Sequence, residues 1–183
     1  MHLVEAYALS CGSMIGSCFI QEQALSLPSN PYITFHGYNP KGPSRQYRYW
    51  NEVIKLLKST PNFLYDIIEV GETHSHKYGS DTTYLGNTSY AELAYLIKHS
   101  SLHLGFDSLP VHIASHYDKK IVAIYAHYAQ NTKPYFSTPE NIVLLEPNHK
   151  LLKPVFSDSD PFDQINSISP FNIHKSILGL LNI

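Results

Sequence analysis

The sequence predicts an α/β domain of three layers, in which helices cover both faces of a mainly parallel β-sheet. Short apolar runs rich in β-branched residues alternate along the chain with segments of helical periodicity. Residues 100–125 show this most clearly, because they predict a strand, a helix and a second strand in quick succession. Two strands joined by a crossover helix run parallel to each other. The 183 residues, 43% of them hydrophobic and 15% charged, suffice for one globular domain with its own core.

The N-terminal part of the chain is predicted to precede the main domain. Residues 2–11 have a helical apolar pattern that Gly12 interrupts, and the proline-containing residues 27–31 are typical of a linker. We therefore expect an N-terminal helix and linker over residues 1–31 and a folded domain over residues 32–183.

The further elements follow from their periodicity and their flanking residues. A helix is predicted from Arg45 to Lys58, with Ser44 as its N-cap. A Ser-x-x-Glu capping box at Ser89 begins another helix at Tyr90. The apolar stripe of the first of these two helices is Tyr49, Val53, Ile54 and Leu57. The predicted strands are 32–36, 63–70, 84–85, 102–105, 121–125 and 142–145, the other helices are one from Pro110 to before Asp118 and one opening at 169–170, and 73–83, 126–139 and 146–163 are predicted loops.

Composition and missing motifs exclude several classes of protein. A net charge of -2 without a basic run argues against broad nucleic-acid binding. No run is long enough for a membrane span, and the N-terminal stretch lacks the basic region of a signal peptide. Cys11 and Cys18 are expected to be reduced thiols of a cytoplasmic protein, with a disulfide between them as the alternative. The chain has no Gly-x-Gly-x-x-Gly or Walker loop and no Gly-x-Ser-x-Gly elbow, so we expect no bound cofactor and no hydrolase triad.

A strand end and a helix start meet in the middle of the chain. Asp107 or Ser108 can cap this helix, and Pro110 suits its first turn. Ligands of parallel sheets bind outside the carboxyl ends of the strands, where a helix N-terminus favours an anion. The loop after the first strand adds cations at Lys41 and Arg45 on the same edge. The sequence thus predicts a site for a phosphate-bearing ligand at Asp107–Val111, with a plain N-cap and ordinary surface charges as the alternative.

Glu72 is the candidate for contact with a sugar hydroxyl. It follows the predicted strand 63–70 directly. A carboxylate at such a strand end can accept hydrogen bonds from ribose hydroxyls, as in dinucleotide-binding folds. The spacing fits an exposed loop glutamate equally well.

Histidines offer a second kind of chemistry. His112 could reach a phosphate or pack beneath the loop, and it forms an i, i+4 pair with His116. His74 and His76 give a second pair, so a zinc-dependent hydrolase is one alternative. Neither pair carries the glutamate of a His-Glu-x-x-His motif or has a cysteine nearby. We therefore expect no metal.

Three blocks of the sequence resemble the C-terminal half of family 9 glycosyltransferases, the ADP-heptose:lipopolysaccharide heptosyltransferases and their relatives of GT-B fold. The similarity runs from about Tyr32 to Tyr125, and the order of its Asp-Ser-x-Pro-x-His block is fairly specific. The blocks are Gly86-x-Thr88-Ser89-x-x-Glu92-Leu93-Ala94-x-Leu96-Ile97, Leu104-Gly105-x-Asp107-Ser108-x-Pro110-x-His112-Ile113-Ala114 and Lys120-Ile121-Val122-Ala123-Ile124-Tyr125.

The resemblance implies a Rossmann-like domain that binds the donor, a nucleotide-sugar similar to ADP-heptose. In the family, the turn at Ser108 and Leu109 offers backbone N–H groups to the diphosphate. A basic residue after the first strand, here Arg45 or Lys41, binds phosphate, and an acidic residue, here Glu72, contacts the ribose. The family usually has glycine where this chain has Leu109.

The resemblance also implies that the chain works with a second unit. The GT-B half that carries the acceptor site and the general base has no counterpart in this sequence. We expect a glycosyltransferase donor-binding domain that needs a partner chain or a homo-oligomer, located in the cytoplasm. Peripheral association with the inner membrane face is kept open, as is a catalytically degenerate binding or assembly module.

Overall fold

The strands of the described chain lie in one parallel sheet. The computed structural model describes residues 1–38, 45–72, 78–126, 129–147 and 164–183. The strands are Tyr32–His36 (β1), Asp66–Gly71 (β2), Thr82–Leu85 (β3), Leu102–Phe106 (β4), Lys120–Ile124 (β5) and Ile142–Leu145 (β6). Their order is β3-β2-β1-β4-β5-β6, and every neighbouring pair is parallel. The predicted α/β class with a mainly parallel sheet is confirmed.

Helices cover both faces of this sheet. They are Leu3–Cys11 (α1), Trp50–Ser59 (α2), Tyr90–His99 (α3), Leu109–His116 (α4), Ala129–Thr132 (α5) and Pro170–Leu181 (α6), with single 3₁₀ turns at Pro139–Asn141 and Ile165–Ser167. Among the described helices, none has the length and apolar character that crossing a membrane requires.

Alternate strand positions supply the two cores. On one face, Ile33 and Phe35 of β1 pack with Trp50 of α2 and Ile173 of α6. On the other face, α3 and α4 cover side chains such as Ile121 of β5. Because successive strand residues point to opposite faces, the apolar runs of the sequence bury side chains in both layers. Each fully buried aliphatic side chain stabilises the fold by about 1.5–3 kcal/mol.

Helix α2 begins later than the predicted start at Arg45. It starts at Trp50, with Tyr49 as its N-cap residue and no side-chain cap. The residues before it are held by long-range contacts instead, since the Tyr47 hydroxyl donates to Ile168 O at 2.6 Å and the Arg48 N–H to Asn166 Oδ1 at 2.8 Å. These contacts hold residues 46–49 in turns and irregular structure ahead of the helix. The predicted N-cap, Ser44, lies outside the described residues.

Other boundaries shift by a few residues. Strand β2 begins at Asp66 rather than at residue 63, because Phe63 and Tyr65 pack on the edge of the core before the strand starts. The predicted loop 126–139 contains the short helix α5.

The segment that follows α1 packs on the side of the sheet covered by α3 and α4, where Ile20 joins their core. Helix α1 is capped by His2 and by Gly12, whose φ of 63° suits glycine, but it buries none of its residues. Further along, Glu22 accepts from Lys98 Nζ of α3 at 2.9 Å, and both cysteines are exposed and free. The division into an N-terminal helix and linker over 1–31 and a domain over 32–183 stays a prediction.

Candidate functional site

The order of the strands creates a crevice between β1 and β4. From β1 the chain proceeds outward to β2 and β3, and then returns to place β4 on the other side of β1. The connections on the two sides therefore diverge at the carboxyl ends of β1 and β4, which is where open α/β sheets bind ligands.

His36 and Phe106 end these two strands and meet across the crevice. Their ring centroids lie 4.8 Å apart. Gly37 follows His36 directly, and a side chain at this position would overlap the ring of Phe35. Burial lowers the pKa of His36 to about 4, while a backbone hydrogen bond with Tyr38 acts in the opposite direction. The imidazole is therefore neutral at pH 7.

Helix α4 starts at this crevice. Ser108 is its N-cap residue, with φ -163° and ψ 170°, but its side chain does not cap the helix. The Ser108 hydroxyl instead donates to Phe106 O at 3.0 Å and lies 2.9 Å from His36 Nδ1. Pro110 stands in the first turn, as predicted. Between the two residues predicted as N-caps, the structure selects Ser108 over Asp107.

Two basic side chains lie near the carboxylate of Asp107. Its carboxylate lies 3.9 Å from Arg45 Nη1 and 3.7 Å from His112 Nε2. Arg45 Nη1 also donates to Asp107 O at 3.4 Å. The Arg45 side chain is 50% exposed, so these long contacts leave it able to reorient toward an anion at little cost.

A cleft of about 710 Å³ opens beside the start of α4. This volume lies within the range of small-molecule sites. One wall is formed by the end of β2 and the turn after β3, and the facing wall by the turn into α4. The lining residues include His36, Glu72, Gly86, Ser89, Ser108 and Leu109.

The predicted site residues divide between two cavities. Glu72, Ser108 and Leu109 line the cleft. Asp107 and His112 instead line a second cavity of about 510 Å³ on the other side of α4. Leu109 borders both cavities and is 50% exposed.

The other predicted residues lie elsewhere. Arg45 reaches the first turn of α4 through Asp107, and Lys41 lies outside the described residues. His116 lines the second cavity with His112, but His74 and His76 also lie outside the described residues. In the part of the chain that the structure describes, no group of three or more His, Cys, Asp or Glu side chains is arranged to hold a metal ion.

Two parts of the cleft are not predicted by the sequence. The sequence predicts His36 only as the end of a strand, and the residues around Gly86 only as a helix cap. One feature of the sequence indicates a role for His36: it is a polar residue at the last position of a buried strand, at the carboxyl edge of the sheet. The turn at Gly86 becomes part of the wall because β3 pairs with β2, which sequence periodicity does not reveal.

A buried polar network around His103 joins β4 to β1 beneath the crevice. The His103 side chain of β4 is fully buried, and its Nδ1 lies 3.0 Å from Thr34 Oγ1 of β1. Thr34 in turn donates to Ser100 Oγ at 3.4 Å. Among the described residues, His103 Nε2 has no hydrogen-bond partner. Burial, with the nearby His36 as a lesser cause, lowers the pKa of His103 to about 3.

The strand order and the crevice define a doubly wound, Rossmann-like α/β domain with an open ligand cleft at its switch point. The model of glycosyltransferase family 9 (heptosyltransferase) matches residues 48–161, which is more than half of the chain. The chain therefore belongs to glycosyltransferase family 9.

Solved structures of this family share the fold. E. coli ADP-heptose lps heptosyltransferase II is similar with a TM-score of 0.64 at 16% identity, over 97% of this chain and 51% of that one. The family 9 glycosyl transferase of Veillonella parvula DSM 2008 gives 0.64 at 14% identity, over 83% of this chain and 46% of that one. TibC of enterotoxigenic E. coli H10407, a dodecameric iron-containing glycosyltransferase, gives a TM-score of 0.65 at 19% identity, over 89% of this chain and 48% of that one.

The chain spans about half the length of these solved relatives. At identities below 20% the similarity establishes the fold alone. No curated protein sequence matches the chain.

Proposed function

We propose that this chain is the donor-binding domain of a glycosyltransferase, which binds a nucleotide-sugar similar to ADP-heptose. The observation that carries the proposal is the cleft of about 710 Å³ at the switch point of the sheet. A carboxylate, Glu72, stands on one wall, and the first turn of α4 forms the facing wall. This pairing suits the two polar parts of a nucleotide, the ribose hydroxyls and the diphosphate.

In the proposed complex, each predicted residue has a separate role. Glu72 accepts hydrogen bonds from the ribose, and the turn at Ser108 and Leu109 offers backbone N–H groups to the diphosphate. Arg45 adds positive charge near the diphosphate, and Lys41 is proposed as a second cation there. Asp107 and His112 hold Arg45 and the start of α4 from the side of the second cavity.

In the reaction, the bond between the sugar's anomeric carbon and the diphosphate breaks, and an acceptor hydroxyl oxygen forms a new bond to that carbon. The hydroxyl proton passes to a general base, and the nucleoside diphosphate leaves with the bonding electrons. Cations and N–H donors at the start of α4 stabilise the charge that develops on the leaving group. This chain supplies that stabilisation in the proposal.

The acceptor site and the base come from a second unit in the proposal, either a partner chain or another copy of this one. The chain itself covers about half of the length of each solved relative. TibC, described as dodecameric, was solved with ADP-D-beta-D-heptose, and E. coli heptosyltransferase WaaC with ADP. These ligands make adenosine diphosphate the first nucleotide to test here. We also propose a cytoplasmic location for the protein.

A second candidate function is a binding or assembly module that does not transfer sugar. The observation in its favour is Leu109, whose side chain stands half-exposed at the start of α4, where the family usually has glycine. A transfer assay with the isolated chain and with its partner unit separates the two functions.

Replacing Glu72 tests the ribose contact. We expect Glu72→Gln to weaken binding of the preferred nucleoside diphosphate by about tenfold, because hydrogen bonds to a charged group are worth about 1.5–3 kcal/mol. Binding of the 2′,3′-dideoxy analogue should change by less than about twofold, because that analogue has no ribose hydroxyls to lose. Calorimetric titration measures both affinities.

The matched control is Glu140→Gln, which makes the same change at an exposed residue outside the cleft. It should leave both affinities unaltered. An equal loss for the normal and the dideoxy nucleotide in Glu72→Gln would contradict the proposed contact.

A further inference from the structure

The hydroxyl of Tyr125 is buried without a hydrogen-bond partner. Tyr125 follows β5 directly, and its side chain is 0% exposed in the core beneath α3 and α4. Among the residues that the structure describes, its Oη has no partner. An unpaired buried hydroxyl costs stability, and a phenylalanine ring would fill the same space without that cost. Packing alone therefore does not account for the hydroxyl.

Asp107 stands beside Tyr125 at the ends of two neighbouring strands. Phe106 of β4 pairs with Ile124 of β5, and the Asp107 N–H donates to Ile124 O at 3.3 Å. Asp107 and Tyr125 are the residues that follow this pair, so strand alternation directs both to the face that α4 covers. Burial raises the pKa of Tyr125, the Asp107 carboxylate raises it further, and the Arg45 guanidinium lowers it. The phenol thus lies within electrostatic reach of both charged side chains.

The two basic neighbours of Asp107 hold its carboxylate loosely. Arg45 Nη1 lies 3.9 Å away and His112 Nε2 lies 3.7 Å away. In the proposed complex the diphosphate draws Arg45 toward itself, so Asp107 loses one of these contacts while a second anion arrives nearby. A carboxylate beside a diphosphate repels it. A strong hydrogen bond to that carboxylate would fix its direction and disperse its charge.

We propose that Tyr125 is a positioning residue for the donor site: when Arg45 turns to the diphosphate, the Asp107 carboxylate rotates inward and accepts a hydrogen bond from the Tyr125 hydroxyl. This inference rests on the proposed function, because the diphosphate is that of the donor nucleotide. Tyr125 acts through Asp107 and does not contact the ligand, since its hydroxyl is buried. The hydroxyl is unpaired in the free chain and paired in the complex.

Glu146 is a second carboxylate near the phenol. It also raises the pKa of Tyr125, but by less than Asp107 does. Its Oε1 already accepts from the Ala129 N–H at 3.0 Å, which holds it at the start of α5. Asp107, whose two ion pairs are long, is therefore the carboxylate that is able to turn.

Tyr125→Phe removes the hydroxyl and keeps the ring, and it should change stability and affinity in opposite directions. Without ligand it should raise the melting temperature by about 2–4 °C, because an unpaired buried polar group is removed. It should weaken binding of the preferred nucleoside diphosphate (ADP, UDP or GDP) by about tenfold, because the complex alone loses a hydrogen bond to a charged group. Scanning calorimetry and calorimetric titration measure the two changes.

Tyr32→Phe is the matched control. Tyr32 is also buried, but its hydroxyl donates to Leu96 O at 2.8 Å. It is the first residue of β1, at the end of the strand away from the crevice. Loss of this paired hydroxyl should lower the melting temperature and leave nucleotide affinity unchanged.

A double-mutant cycle identifies the acceptor. In a chain that carries Asp107→Ala, Tyr125→Phe should weaken binding by less than about twofold, because the hydroxyl has lost its acceptor. In a chain that carries Glu146→Gln, the same change should still weaken binding by about tenfold. The reverse pattern would overturn the role of Asp107.

The outcomes separate this inference from the proposed function. If the unaltered chain binds a nucleoside diphosphate and Tyr125→Phe binds it equally well, the positioning role is wrong and the proposed function stands. A lower melting temperature of Tyr125→Phe would show that the hydroxyl is already paired in the free chain, and would also overturn the positioning role. If the unaltered chain binds none of the three nucleoside diphosphates, both fail.

Discussion

Lowering the pH from 7 to 5 is expected to reduce the free energy of unfolding by about 3–4 kcal/mol, because two buried imidazoles resist protonation. Burial lowers the pKa of His103 to about 3 and the pKa of His36 to about 4. In the unfolded chain both groups titrate near their ordinary value of about 6.5. Below about pH 6.5 the unfolded state binds more protons than the folded state, so the free energy of unfolding decreases as the pH falls. Above about pH 6.5 both states keep these rings neutral, and the loss is absent.

The window between pH 5 and 6.5 isolates these histidines. The carboxyl groups of Glu22, Glu92 and Asp118 also have lowered pKa values, each through hydrogen bonds, but they titrate below this window. The pKa of His174 is lowered by burial, so it adds a smaller loss in the same direction. Urea unfolding at pH 7, 6 and 5 measures the effect.

Substitution assigns the pH dependence to a particular ring. His103→Asn can still donate to Thr34 but has no group that titrates, so it should remove about half of the pH dependence. The same change at the exposed His99 should preserve the pH dependence. Unfolding free energies that do not change between pH 7 and 5 would contradict the buried, neutral state of His103 and His36.

Trp50→Ala is expected to destabilise the fold by about 3–5 kcal/mol, the usual loss for removing a fully buried large aromatic. The Trp50 side chain is 0% exposed, and its ring contacts those of Phe35 and Tyr47 at centroid distances of 5.0 Å each. Its removal leaves a cavity between α2 and β1, because strand backbone on one side and the Tyr47 segment on the other prevent collapse. Urea unfolding at pH 7 measures the loss.

The matched control is Phe171→Ala on α6, where the aromatic side chain is 61% exposed. It should cost less than about 1 kcal/mol, because little apolar surface returns to water. Similar losses for the two variants would show that Trp50 does not anchor α2.

Helix α2 shows how far periodicity alone predicts this fold. The positions Val53, Ile54 and Leu57 are buried as expected, because the 3.6-residue period fixes which residues share a face. The period does not fix where the helix begins, so it predicts Tyr49 rather than Trp50 on the buried face. The start is decided by contacts of residues 45–49 with residues 164–168, which are remote in sequence.

The candidate site shows the same division. Ser108 and Leu109 were predictable, because the sequence of a strand, Asp-Ser and proline fixes a helix start at a strand end. The order of the strands in the sheet places Glu72 across a cleft from them. The direction of α4 places Asp107 and His112 at a second cavity. The link between His36 and Ser108 joins residues from two strands that only the sheet brings together.

Calorimetric titration of the chain with ADP, UDP, GDP and their nucleotide-sugars tests the central claim most directly. We expect saturable binding of at least one of them at concentrations up to about 1 mM, the upper end of typical KM values. Arg45→Ala should weaken that binding, since Arg45 brings a cation to the residue before the start of α4, where its Nη1 donates to Asp107 O. Absence of binding by every nucleotide and nucleotide-sugar at that concentration would contradict a donor site in the cleft.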